Sequence, residues 1–169
     1  KYAGTLWASA TLTDAKRDYG ILFEREEGLF IESYPFMPYH IRLMQEIFDI
    51  LRAGGAKITG RERTILQAVS SMMAGVKERK GLAHMPVGNL ATFDALYDVL
   101  EEELKAIASS EEAAVERISK LGECGDVPVV SVAKVIFLLQ NVKWLPCSVS
   151  NIGAVLYPRL GCDKNTLEG

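Results

Sequence analysis

Cysteine and histidine are scarce in this 169-residue chain, and the common cofactor and phosphate signatures are missing. Cys124, Cys147 and Cys162 are odd in number, far apart and without a C-x-x-C pair. That argues against a disulfide framework or a zinc site and fits free thiols in a reducing compartment. His40 and His84 have no Cys or Asp nearby at metal-ligand spacing. Neither G-x-x-x-x-G-K-S/T nor G-x-G-x-x-G occurs, and Gly54-Gly55-Ala56-Lys57 has the wrong spacing and no following Ser or Thr. No spacing of nucleophile, base and orienting residue stands out, so the chain reads as non-catalytic by itself. It has no uninterrupted apolar run of ~18 residues and does not open with a leader-like pattern, which reads as a cytoplasmic chain with no membrane partner. The longest apolar stretch, around Val132 to Leu139, is broken by Lys134 and suits a buried helix. Internal repeats and low-complexity tracts are also missing. The net charge of −3 leaves nucleic-acid contact only to local patches. The first residue is Lys and the last is Gly, each within what reads as structure, so a piece of a longer protein is expected.

Apolar residues make up 49% of the chain, enough for a folded core, and their spacing is mostly helical. Residues 1–34 form a segment of uncertain structure. Trp7, Ala10 and Asp14 to Tyr19 suit a helix, while Ile21 to Phe23 and Leu29 to Ile31 suit extended chain. Tyr34-Pro35-Phe36-Met37-Pro38-Tyr39 is stiffened by two prolines, and its aromatics read as a hydrophobic anchor. From Pro38 the spacing predicts a helix with Ile41, Met44, Ile47, Phe48 and Leu51 on one face, stopped by Gly54-Gly55. Thr59-Gly60-Arg61-Glu62 has the form of a capping box, opening a helix expected to reach about Lys80. Its apolar stripe is Ile65, Leu66, Val69, Met72, Met73 and Val76. A third helix is expected from about Ala91 to Ala108, with Phe93, Leu96, Tyr97, Leu100, Leu104 and Ile107 facing inward. Ser109-Ser110-Glu111-Glu112 reads as a second capping box before Val115, Ile118 and Leu121, and Gly122 to Val127 as a linker. Pro128 opens a helix in which Val129, Val132, Ile136, Phe137 and Leu139 are expected to be mostly buried. Trp144-Leu145-Pro146 turns the chain, Ser148 or Ser150 caps a helix with Ile152, Val155 and Leu156, and Asp163 caps a further one. The fold expected is mainly α: a helical bundle over 35–126 followed by a partial helix-turn-helix or winged-helix-like unit over 127–169.

Residues 61–80 carry five bases against two acids, net +3, and residues 94–126 carry ten acids against three bases, net −7. The acidic stretch reads as a solvated face. His40, after a proline-fixed turn, reads as structural. Arg63 falls opposite the apolar stripe, with Gln67 and Ser70, in a first turn where the helix dipole disfavours a cation. It therefore needs an anion. Two readings stay open: a surface arginine paired with a carboxylate, or, together with Arg61, an anchor for a phosphate at the helix N-terminus. The 127–169 unit carries only a net +2, so protein packing is the first reading. Lys143, Arg159 and Lys164 are its candidate contacts to DNA or to a partner.

Tyr34-Pro-Phe-Met-Pro-Tyr-His40, an amphipathic helix, Gly60-Arg-Glu-Arg-Thr-Ile-Leu66, the stretch Leu90 to Leu104 with Phe93, Tyr97 and Asp98, Ala133-Lys-Val-Ile-Phe-Leu-Leu139, then Pro146, Asn151-Ile152 and Asp163 follow one another in order. This succession, from about residue 29 onward, resembles the region after the P-loop core in BrxC/PglY-type ATPases of the BREX phage-defence systems. The chain departs from that pattern in having Arg61 where Gly is expected before Glu-Arg, and Thr64 where Ser is expected. The resemblance implies an AAA+-like ATPase whose P-loop domain lies upstream and is the first partner of this piece. It implies ATP and Mg2+ as cofactors of the larger protein, with none bound by this piece alone. Further implied partners are other BREX proteins and DNA, in a parent that assembles as an oligomer. This piece would supply the helical lid and a winged-helix-like unit. Arg63 would match a lid arginine of sensor-2 type that reaches the γ-phosphate. The competing expectation is a stand-alone DNA-binding or protein-interaction helical domain.

Overall fold

A computed structural model describes residues 27–159, apart from residues 57, 59, 108–114, 116, 125 and 126. The chain is mainly helical. Helix α1 (Glu27–Ser33) leads through the Tyr34-Pro35-Phe36 turn, whose Tyr34–Pro35 peptide is cis, into α2 (Pro38–Ala53). Leu29 to Ile31, expected to be extended, lie within α1. Among the described residues no strand lies beside them to take up extended backbone, and the helix satisfies its own amides. The expected helix with Trp7, Ala10 and Asp14 to Tyr19, and the expected extended stretch Ile21 to Phe23, fall outside the described residues.

Helix α2 begins with Pro38 in its first turn and ends at Gly54, as its sequence suggests. It buries Leu43, Met44, Ile47, Phe48 and Leu51. After Gly54-Gly55, Ala56 and Ile58 turn inward, and α3 (Arg61–Ala74) follows. Here the structure corrects the sequence reading in three ways. The N-cap position falls on Gly60 and carries no side-chain cap, so the helix does not start from the expected box, and Thr59 itself lies outside the described residues. The helix ends at Ala74 instead of near Lys80. Leu66, placed on the apolar stripe by its spacing, is 69% exposed, and the buried face is Ile65, Ala68 and Met72.

What ends α3 is a backbone crossing. Gly75 has φ +104°, and a Cβ there would lie 2.7 Å from the Gly81 amide nitrogen. A Cβ on Gly81 would lie 2.3 Å from the Met73 carbonyl oxygen. Only glycine at both places lets the chain double back. It does so as a hairpin of β1 (Gly75–Val76) and β2 (Arg79–Lys80), antiparallel, with Gly75 opposite Lys80.

A 3-10 turn (Leu82–His84) and a loop lead to α4 (Phe93–Ile107), the central helix. Phe93, Leu96, Tyr97, Leu100 and Leu104 are buried along it, as expected. The loop is pinned at several points. The Gly88 amide donates to the Tyr34 hydroxyl oxygen at 2.7 Å, the Ala91 amide to the Pro35 carbonyl, and the Leu90 amide to the Pro158 carbonyl. The aromatic anchor thus packs where its composition suggested, with Phe36 buried. The second proposed capping box, at 109–112, is outside the described residues.

Part of the expected linker pairs as a second small hairpin, β3 (Glu123–Cys124) with β4 (Val127–Pro128). Helix α5 (Val129–Leu139) then packs against α4. Its buried face is Ser131, Val135, Leu138 and Leu139, while Ile136, expected inside, is 42% exposed. The turn through Trp144 and Leu145 leads to α6 (Val149–Leu156), where the Ser148 hydroxyl oxygen accepts from the Asn151 amide as the expected cap. Asn151, fully buried, donates from Nδ2 to the Pro146 carbonyl at 2.9 Å and locks the turn to the helix. The helix expected after Asp163 lies outside the described residues. One hydrophobic core contains side chains from α2, α3, α4, α5 and α6 together.

Candidate functional site

At the head of α3, Ile58 is buried and tethers the approach, and Gly60 takes φ +77°. The Thr64 amide and hydroxyl both donate to the Gly60 carbonyl, at 3.1 and 2.9 Å. The N-cap residue Gly60 has no side chain to accept from the first amides of the helix. Arg63 stands exposed in this first turn and pairs with no carboxylate among the described residues. Glu62 beside it is exposed as well, and the side chain of Arg61 is not among those described. A guanidinium next to helix N-terminal amides can donate hydrogen bonds to a phosphate oxygen, which is what this arrangement offers chemically. The residues present fit contact to one end of a polyphosphate. The glycine-rich cradle and the hydroxyl for Mg2+ would have to come from another domain.

The other candidate cations are more scattered. Lys143 is exposed on the turn between α5 and α6, and Arg159 is exposed beyond the end of α6, where its backbone bridges Asn89. Lys164 lies outside the described residues.

A second charged constellation was not singled out by the sequence. It joins the β1–β2 hairpin, α4 and α5. Arg79 donates from Nη2 to Asp94 Oδ2 at 2.8 Å and from Nε to Asp98 Oδ2 at 3.0 Å. Lys134 donates to Asp98 Oδ1 at 2.5 Å and sits over the Tyr97 ring. The Ser131 hydroxyl donates to Asp94 Oδ2 at 2.9 Å. Next along α4, Glu101 accepts from Lys77 and Lys105. Two cations and two carboxylates thus neutralise one another at the α4–α5 seam. Asp94 is only 6% exposed, so part of the acidic stretch expected to be a solvated face points inward instead. The physical reason is that Arg79 and Lys134 bring opposite charge to it from two other elements. Burial alone would raise the Asp94 pKa, but the Arg79 guanidinium and the Thr92 and Ser131 hydroxyls hold it below the usual carboxylate value. Burial alone would lower the Arg79 pKa, and its two carboxylate partners hold it above the usual arginine value instead. The signal available in the sequence was Lys134, a lone cation inside an apolar run, together with acids at 94, 98 and 101 on one helical face.

His40 is fully enclosed. Its Nδ1 accepts from the Met37 amide at 3.3 Å, which ties it to the start of α2, while Nε2 has no hydrogen-bond partner. The rings of Phe36, Tyr39 and Phe93 stand edge-to-face around it. Burial pushes its pKa down to about 3, so it is a neutral structural residue at ordinary pH. Among the described residues, no three His, Cys, Asp or Glu side chains gather as a metal site would require.

Fold and site together define a mainly α-helical chain with an arginine-bearing helix head that starts from a glycine N-cap, and a self-neutralised charge network. No protein-family model matches the chain, and no solved structure matches it.

Proposed function

We propose that this chain is a non-catalytic helical part of a larger AAA+-like ATPase of the BREX phage-defence kind. In this reading it is a lid that couples the nucleotide state of an upstream P-loop domain to engagement of a partner or DNA. The observation that carries the reading is Arg63, exposed and, among the described residues, without a carboxylate, at the head of a helix whose N-cap residue Gly60 brings no side-chain cap. A cation in that position opposes the helix dipole, and an external anion removes the conflict. The ordered succession of segments from Tyr34 to Asp163 supports the same reading. Arg63 would stabilise charge on the terminal phosphate and so link the angle of the lid to whether ATP or ADP is present. The two helices α5 and α6 would belong to a winged-helix-like unit that meets a partner or DNA.

The test is ATP turnover by the ATPase that carries this chain, with Arg63 intact, as Arg63→Lys and as Arg63→Ala. Losing one donor aimed at developing charge lowers kcat by about 100-fold. The expected result is a drop of that order for Arg63→Ala, with partial recovery for Arg63→Lys. The melting temperature should not change, because the side chain is exposed. Unchanged turnover in Arg63→Ala contradicts the reading.

A further inference from the structure

Beside the hairpin lies a partly open cavity of about 150 Å³. Its walls come from Met72, Val76, Leu82, Met85, Leu90 and Val99, so it is mostly apolar. A cavity of this size with mostly apolar walls has room for a benzene-sized group. Two cations also line it, Arg79 and Lys80, and no Asp or Glu does. They are not equivalent. Arg79 commits its Nε and Nη2 to Asp98 and Asp94, inside a network of two cations and two carboxylates whose charges cancel. Lys80 is exposed and forms no ion pair among the described residues. Lys80 therefore brings to the lining of this mostly apolar cavity a positive charge that pairs with no carboxylate among the described residues. Its shape is fixed by the Gly75–Gly81 backbone crossing, which sets the hairpin as one wall, and by Pro158, held against Leu90 by the 2.9 Å backbone bond.

We propose that this cavity is a binding site for a small carboxylic acid with a compact apolar or aromatic body. The ring fills the space between the methionines and the α4 wall. The carboxylate meets the Lys80 ammonium and the N–H groups of Arg79 left over from its two carboxylate bonds. This site is independent of Arg63 and of the ATPase reading.

The experiment uses the 169-residue chain with 13C-labelled methionine methyls, titrated with benzoate, benzyl alcohol and acetate. Benzoate is expected to shift the Met72 and Met85 methyls saturably. Benzyl alcohol, which keeps the ring and loses the charge, and acetate, which keeps the charge and loses the ring, should each bind about tenfold or more weakly. Lys80→Glu, on the surface and outside the charge network, should weaken benzoate about tenfold and leave benzyl alcohol unchanged. Ala95→Met should fill the space and abolish binding of both aromatics. The proposal is overturned if benzoate gives no saturable shift at Met72 and Met85. It is equally overturned if benzyl alcohol binds as well as benzoate, or if Lys80→Glu leaves benzoate unaffected. Should Ala95→Met fail to fold, the surface Lys80→Glu comparison still decides.

Discussion

His40 is a titratable group folded into a cage of aromatic rings, and this gives it a measurable signature. Its pKa is pushed down to about 3, whereas an unfolded histidine titrates near 6.5. The native state thus binds fewer protons than the unfolded state between those values. Its contribution to stability is complete above about pH 6.5 and drains away as pH falls towards 3. Thermal melts between pH 7 and 4.5 should show a falling Tm, and His40→Phe should flatten that slope. An equal slope in the variant would show that His40 is not its source. Asp94 separates from this effect on the pH axis. Its pKa lies below the ordinary value of 3.8, so its stabilisation is present above that value and lost only as pH falls further. At neutral pH, removing its partner by Arg79→Met leaves a buried carboxylate short of its counter-charge. The expected cost is about 2–4 kcal/mol by denaturant unfolding, and the double variant Arg79→Met/Asp94→Leu should recover part of it.

The helices differ in how far their residues announced them. Helices α2 and α4 were legible because their apolar residues recur at helical spacing against polar ones, and the buried faces follow that pattern closely. The β1–β2 hairpin was not, because Val76 continues the helical period of α3 and the strands are two residues each. Its real determinant is a close backbone approach between Gly75 and Gly81, which a pattern of side chains does not record. Gly81→Ala should therefore cost about 1–3 kcal/mol, since its Cβ meets backbone that cannot move aside. Gly54 offers the contrast: its φ is −76° and a Cβ there finds ordinary contact distance at 3.4 Å. Gly54→Ala should be neutral or stabilising by up to about 1 kcal/mol, and urea unfolding of the two variants checks both signs. The inward turn of Asp94 and Asp98 was hidden for a different reason. Lys134, the partner of Asp98, lies 36 residues beyond it, Ser131, a partner of Asp94, lies 37 residues beyond Asp94, and only the folded chain brings them there.

On the scale of the molecule, helices α2 to α4 and the following helices α5 and α6 share one core, in which Leu96 and Leu104 belong to the same cluster as Val135 and Val155. The mainly helical architecture was legible from composition and periodicity, whereas this continuity depends on packing that no local pattern encodes. At the candidate site, the exposed first-turn position of Arg63 was legible from its place opposite an apolar stripe. The hairpin cavity was not, because its walls are assembled from α3, the hairpin, α4 and the segment after α6. The functional reading turns on whether the head of α3 meets a terminal phosphate, and backbone hydrogen exchange at Glu62 and Arg63 tests that most directly. It is to be measured in the ATPase that carries this chain, with an ATP analogue and with ADP. The expected result is slower exchange with the triphosphate and no difference between nucleotides in Arg63→Ala. Equal exchange in both nucleotide states, or a difference that survives Arg63→Ala, would contradict it.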